Sequence, residues 1–158
     1  MSIASLHVSS PLGTWTVEGD RDGLTSIHMP GRRRKEFGVA PPLVRAAKRQ
    51  LEEYFAGRRE SFDLDLHLQG TEFQTRVWTA LANIPYGTVA TYGEVANLVG
   101  HRRAFRAVGT ANSKNPFPIV VACHRVVAAN GIGGYAGGLE IKRGLLAIEG
   151  VYFDRKTN

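Results

Sequence analysis

The sequence holds a single cysteine, Cys123, set in Ala122-Cys123-His124-Arg125-Val126. A thiolate is the reactive form of cysteine, and a histidine that accepts the proton can generate it. Such a histidine works best when a carboxylate orients its second nitrogen. Glu149 follows an apolar stretch of helical spacing (Leu139, Ile141, Leu145, Ile148) and is the best candidate for that carboxylate. A lone buried cysteine is more often a small hydrophobe, and the adjacency of His124 does not by itself aim its ring at the sulfur. The flanks argue for chemistry. Asn115-Pro116-Phe117-Pro118 precedes the motif, and Asn130–Gly138 follows it with five glycines in nine residues. A loop so rich in glycine lets backbone approach a ligand closely.

These residues need elements to hold them. Asn115–Pro118 cannot be helix, because proline pushes its predecessor into extended geometry. Ile119-Val120-Val121 then reads as a buried strand or an extended segment. Upstream, Thr71 caps a helix with Phe73, Val77, Trp78, Leu81 and Ile84 facing a core. Thr91 and Glu94 form a capping box that opens a short helix with Val95, Leu98 and Val99 inward, closed by Gly100. A second helix follows, with Arg102, Arg103 and Arg106 at its start. Two short helices joined by a tight turn make either a plain helical corner or a helix-turn-helix whose second helix enters a DNA groove.

The first half reads differently. Ile3, Leu6 and Val8, then Trp15 and Val17, then Leu24 and Ile27 give two or three short antiparallel strands separated by turn residues. Gly31-Arg32-Arg33-Arg34-Lys35 reads as an exposed loop. A helix follows Pro41-Pro42, with Leu43, Val44, Ala47, Leu51, Tyr54 and Phe55 on one face and Gly57 as its stop. Phe62, Leu64, Leu66 and Leu68 alternate with polar residues as a half-buried strand would. Gln69-Gly70 is the best linker, giving domains 1–68 and 69–158. The tail from Asp154 reads as fraying.

Composition bounds the function. The 158 residues are 43% hydrophobic and 22% charged, an ordinary globular balance. No apolar run approaches the roughly 20 residues that cross a bilayer, and the N-terminus shows no secretory signal. One cysteine suits a reducing compartment, so a cytoplasmic protein is expected. The net charge of +6 is uneven: residues 1–70 hold ten Lys/Arg against nine Asp/Glu, residues 71–158 ten against five. The basic half is what a phosphate backbone attracts.

The second half resembles the O6-alkylguanine-DNA alkyltransferases, also called methylated-DNA–protein-cysteine methyltransferases. Phe73-Gln74-Thr75-Arg76-Val77-Trp78 through Ile84-Pro85-Tyr86-Gly87 is similar to the family's opening helix and turn, and Thr91-Tyr92-Gly93-Glu94-Val95-Ala96 to the first helix of its helix-turn-helix. Arg106-Ala107-Val108-Gly109 resembles the recognition helix, Asn115-Pro116 the Asn hinge and Cys123–Val126 the acceptor motif. Gly134–Gly138 and Leu145–Gly150 complete the series. Residues 1–68 are only loosely similar.

The resemblance implies an α+β fold: a small N-terminal antiparallel sheet with a helix (ribonuclease H-like), then a mostly helical, winged-helix-like C-terminal domain containing the helix-turn-helix. It implies a DNA repair protein that flips O6-alkylguanine out of duplex DNA and moves its alkyl group irreversibly to Cys123, with O4-alkylthymine a second candidate substrate. His124, Glu149 and Tyr92 would assist catalysis. Arg106 would fill the space of the extruded nucleotide, with Phe105, Ala107, Gly109, Arg102 and Arg103 also on the DNA. Asn115, Val126, Tyr135, Ala136 and Gly137 would form or brace the base pocket. The expected partner is double-stranded DNA bearing alkylated guanine, bound by a monomer, with cooperativity along DNA open. Neither a cofactor nor a metal is expected, since His7, His28 and His67 lack a cysteine beside them and a zinc site needs four ligands. The family's usual residue before the cysteine is proline, whereas this chain has Ala122. Loss of that proline predicts a modest loss of preorganisation. Two alternatives stand beside this reading: a non-catalytic lesion binder, which would lack the cysteine, and a helix-turn-helix regulator.

Overall fold

The computed structural model describes residues 2–31 and 34–153. Arg32 and Arg33 of the basic run, and the tail from Asp154, lie outside the described residues. The chain divides into two units, one ending at Leu68 and the other beginning at Gln69.

In the first unit β1 (Ala4–Ser10), β2 (Gly13–Gly19) and β3 (Leu24–His28) form an antiparallel sheet in the order β1-β2-β3. Val8 lies opposite Trp15, and Val17 opposite both Leu6 and Ile27. Alternation puts Val8, Trp15, Val17 and Ile27 on the buried face. There they meet α1 (Pro42–Phe55), which buries Val44, Ala47, Leu51, Tyr54 and Phe55. The Trp15 and Phe55 rings sit 5.6 Å apart.

The strand expected over residues 62–68 is not a regular strand. Its alternation of half-buried and exposed positions holds for Phe62–Asp65, but among the described residues a single bridge, Leu24 to Leu66, pairs it with the sheet. The Gln50 side chain brackets the Asp63 backbone instead, donating to its carbonyl at 3.1 Å and accepting from its N–H at 3.0 Å. Beyond that bracket the segment keeps two ladder bonds to Leu24, which donates to the Asp65 carbonyl and accepts from the His67 N–H, both at 2.8 Å.

In the second unit α2 (Glu72–Ala82) starts from a capping box between Thr71 and Gln74, and Trp78 Nε1 donates to the Ala111 carbonyl at 2.9 Å. β4 (Ala90–Thr91) leads directly into α3 (Tyr92–Leu98), opened by the expected Thr91–Glu94 box. The helix ends in a Schellman motif: Gly100 takes φ 81°, its N–H donates to Asn97, and the His101 N–H reaches back to Ala96. Leu98, expected inside, is 70% exposed, because the buried stripe of the helix runs through Val95, Ala96 and Val99 and Leu98 lies off it. α4 (Phe105–Ser113) packs on α3 and buries Val108, Ala111 and Asn112. Arg102 and Arg103 lie in the turn before α4 rather than in it. Only Arg106 is helical.

Residues 119–121 form a tight turn, neither strand nor simple extended segment. Ile119 sits at φ 77°, a strained value for a β-branched residue, and the Val121 N–H closes the turn onto Phe117 at 2.8 Å. A short 3-10 turn, Cys123–Arg125, follows and runs into β5 (Val126–Val127). β5 pairs in parallel with β4, Ala90 opposite Val126 and Thr91 opposite Val127. That pairing sets the start of α3 beside the cysteine segment. α5 (Leu139–Ile148) closes the unit by burying Leu145 and Leu146. Among the described residues no helix is long and apolar enough to cross a membrane.

Candidate active site

Cys123 and His124 occupy the first two positions of the 3-10 turn and are buried, the thiol-bearing residue 2% exposed and the histidine 0%. His124 Nε2 lies 2.6 Å from Glu149 Oε2, and its Nδ1 has no hydrogen-bond partner. Glu149, the residue that caps α5, is fixed from further directions. Arg125 Nε donates to its Oε1 at 2.8 Å and an Arg125 terminal nitrogen to Oε2 at 3.1 Å, while the Gly87 N–H donates to Oε1 at 3.2 Å. Arg125 also donates to the Ile84 carbonyl at 2.6 Å. Because the Arg125 fork already meets the carboxylate charge, burial dominates at His124 and holds it below the ordinary histidine range. The imidazole is therefore neutral at physiological pH, with one nitrogen held by Glu149 and the other free to accept a proton.

Burial pushes the Cys123 thiol up, while hydrogen bonds from Tyr135 and Asn115 and the charge of Lys142 pull it back. The resting sulfur is a thiol, so ionisation belongs to the reaction step. Tyr135 Oη lies 3.4 Å from Sγ. Asn115 Nδ2 donates to the Val121 carbonyl at 2.7 Å and its Oδ1 accepts the Phe117 N–H at 2.8 Å, which braces the strained turn from inside. Asn112 Nδ2 donates to the Cys123 carbonyl at 3.3 Å. Lys142 is fully buried in α5. Its ammonium donates to the carbonyls of Val126, Ile132 and Gly134 at 2.6, 2.7 and 2.9 Å, so one cation ties the cysteine segment to the glycine-rich loop. Desolvation lowers Lys142 to about 8. Tyr92 Oη donates to the same Gly134 carbonyl at 3.4 Å, and burial raises its phenol.

Two family descriptions match the chain: 6-O-methylguanine DNA methyltransferase, DNA binding domain, over residues 72–151, and the ribonuclease-like domain of the same family over residues 7–68. A methylated-DNA–protein-cysteine methyltransferase of Methanosarcina acetivorans is 49% identical over 147 residues, covering 89% of this chain and 94% of that protein. The chain belongs to the 6-O-methylguanine DNA methyltransferase family. The Mycolicibacterium paratuberculosis protein of the same name is 46% identical over 90% of this chain and 89% of its own length. A Mycobacterium tuberculosis structure, solved in complex with DNA, superposes with a TM-score of 0.84 at 43% identity, covering 92% of each chain.

In this methyltransferase-family chain the residues anticipated from the sequence fall into two groups. Tyr135 lies against the Cys123 sulfur, Asn115 and Tyr92 bear on it electrostatically, and His124, the next residue along, is held by Glu149. Arg102, Arg103, Phe105, Arg106 and Ala107 instead face solvent on α4 and the turn before it. Gly109 is half-buried where an added Cβ would lie 3.9 Å from the Tyr92 ring. Val126 is buried and its carbonyl is engaged by Lys142; Ala136 is exposed and Gly137 half-buried. Arg125 and Lys142 escaped the sequence reading. Arg125 stands within the acceptor motif, where the resemblance gives it no role of its own. Lys142 falls three residues before Leu145, on the apolar face of α5, and a charged residue in that register was the available signal.

Proposed function

We propose that this protein repairs O6-alkylguanine in duplex DNA by moving the alkyl group to its own Cys123, once per molecule. The observation that carries the reading is a buried thiol in a turn with a neutral His124, whose Nε2 is held by Glu149 and whose Nδ1 is unpartnered. With the flipped base in place, a water relays the Cys123 proton to Nδ1, and the forming imidazolium is stabilised by Glu149. The sulfur displaces guanine from the alkyl carbon: an S–C bond forms, the C–O6 bond breaks, and the electron pair leaves with the purine. Tyr92 donates toward the ring as charge develops, and the net proton transfer runs from thiol to guanine. The thioether product has no hydrolytic return, so turnover stops at one.

The DNA side rests on the α3–α4 pair and its basic flank. Arg106, in the first turn of α4, takes the space of the extruded nucleotide, since the O6 atom cannot be reached while stacked. Arg102 and Arg103 meet phosphates, and Phe105, Ala107 and Gly109 line the same helix. Val126, Tyr135, Ala136 and Gly137 frame the base, with Asn115 bracing the turn behind it. We further infer a ribonuclease H-like first domain, 1–68, and a winged-helix-like second, 69–158, acting as a monomer. A protein whose only thiol must stay reduced belongs in the cytoplasm.

The test is an intact mass after incubation with duplex containing O6-methylguanine. One methyl adduct mapping to Cys123, absent in Cys123→Ala, is the expected result. An unchanged mass with damaged duplex in excess overturns the reading.

A further inference from the structure

α4 presents a face unlike that of an ordinary surface helix. Its exposed positions are Phe105, Arg106, Ala107, Thr110 and Ser113, and the half-buried Gly109 adds no side chain. All but the first two are small. The helix therefore offers a low surface with two long side chains standing together at its N-terminal end. Phe105 is 52% exposed and, among the described residues, takes part in no aromatic pair. Val108, Ala111 and Asn112 bury the opposite side of the helix, so α4 does not depend on the Phe105 ring for its seat.

The surroundings say what kind of surface would cover that ring. Arg102 and Arg103 in the preceding turn and Arg106 beside it are exposed, and none of the three is paired with a carboxylate among the described residues. A bare aromatic ring among unpaired guanidiniums suits a partner that is anionic outside and flat and apolar within. Duplex DNA has that construction, phosphates at the groove edges and base faces between them. Apolar side chains that enter a groove partly unstack a base step, and base–aromatic stacking replaces the contact that is lost. Arg106 can occupy the vacated volume, and its guanidinium covers a smaller area of a neighbouring base than an aromatic ring does.

We propose that Phe105 is a second probe of the duplex, its ring stacking on a base next to the gap that Arg106 fills. This rests on the repair reading above and gives Phe105, already expected on the DNA, a specific contact and a role in flipping. The ring acts on the flipping equilibrium and not on methyl transfer, so its effect must depend on the base being stacked at the outset.

Single-turnover rates on duplex O6-methylguanine and on free O6-benzylguanine separate the possibilities. Phe105→Ala should slow duplex repair by roughly five- to a hundred-fold, the range that truncation of a stacking aromatic gives. It should leave the free-base reaction within about two-fold of the parent, and Phe105→Trp should restore most of the duplex rate. Duplex carrying 2-aminopurine beside the lesion, bound by Cys123→Ala, should lose a fluorescence change when Phe105→Ala is added. Parent-like duplex repair by Phe105→Ala overturns the inference, as does an equal loss on both substrates. If the unsubstituted protein gains no methyl at all, the repair reading itself has failed.

Discussion

The two units treat buried polarity in opposite ways. Among the described residues, the first unit buries only neutral polar side chains, Ser5, Thr16 and Gln50, while the second buries His124, Arg125, Lys142 and Glu149 beside Asn112. The Arg59–Glu53 ion pair of the first unit and its His67–Asp20 contact keep at least one partner partly in water. Removing ions from water costs several kcal/mol each unless they are matched and hydrogen-bonded. The first unit avoids that cost among its described residues. The second unit carries it where a proton has to move, and its cations and carboxylate hold a neutral imidazole and a protonated thiol in place.

Breaking the match should therefore cost far more in one unit than in the other. Glu149→Gln leaves Arg125 buried with half its partner gone and frees the His124 ring, and a buried pair broken from one side costs about 3–5 kcal/mol. Urea denaturation should show that loss, and single-turnover transfer should slow by at least about ten-fold, each factor of ten being about 1.4 kcal/mol of barrier. Binding of undamaged duplex should be largely kept. Glu53→Gln, its surface counterpart, should cost under about 1 kcal/mol and leave transfer unchanged. Similar losses from the two substitutions would erase the contrast between the units.

Lys142→Met comes next. It orphans three carbonyls, at about 1–3 kcal/mol for each that water cannot reach, but relieves the desolvation of a cation. The balance is on the order of 2 kcal/mol of lost stability. The glycine-rich loop loses its tie to the cysteine segment, so reaction with free O6-benzylguanine should slow along with duplex repair. A parent-like rate on both would mean the clamp is only structural.

The pH dependence sharpens the same contrast. Folded Lys142 releases its proton near 8, whereas an unfolded lysine holds it to about 10.4. Between these values the unfolded state binds the extra proton, so this residue makes stability rise with pH, by at most about 1.4 kcal/mol per unit. Cys123 acts in the other direction. Its raised thiol keeps a proton that the unfolded chain loses, so its contribution falls once pH passes the ordinary cysteine range. Cys123 is common to the parent and Lys142→Met, so across the window between about 8 and 10.4 the difference between the two isolates Lys142. In that window stability of the parent should rise relative to Lys142→Met while transfer slows as the clamp loses charge. On the acid side His124 is lowered, so the unfolded state gains a proton first and stability drops as pH falls below about 6.5. Unfolding midpoints across pH 5 to 9 (roughly the span of these groups) measure both limbs.

Local chemistry explains what could be read in the sequence. Thr91 with Glu94 and Gly100 with its αL geometry are short-range devices, and they mark the ends of α3 wherever it packs. Cys123-His124 and Glu149 carry a chemical pattern, although their 2.6 Å meeting depends on where α5 ends. What escaped was decided by distant partners. Residues 62–68 alternate like a strand, yet Gln50 takes the backbone groups of Asp63 and the ladder is confined to Asp65 and His67 on Leu24. Leu98 has helical spacing but no neighbour to cover it. Lys142 is polar by type and buried by circumstance, because three carbonyls from β5 and the loop happen to converge on it. Ile119 gives no warning of its positive φ, which the Asn115 bracket imposes.

The smallest expected effect concerns the residue before the cysteine. Ala122 sits at φ −79° and ψ 61°, and the Cys123 N–H closes onto the Val121 carbonyl at 2.8 Å, an inverse γ-turn centred on the alanine. That φ lies within the band a proline ring enforces. Val121 is paired in a bridge with Pro118, the kind of extended position a following proline requires of its predecessor. The folded backbone has thus already adopted the proline geometry without the ring, and the difference lies in the unfolded chain, which alanine leaves freer. Ala122→Pro should stabilise by about 0.4–1 kcal/mol, a shift of a few degrees in Tm for a chain of this size, with transfer within about two-fold of the parent. A large acceleration would mean that the turn is mobile in solution and that preorganisation limits the reaction. A loss of stability would mean that the buried site has no room for the ring, and that the alanine is an accommodation of its neighbours.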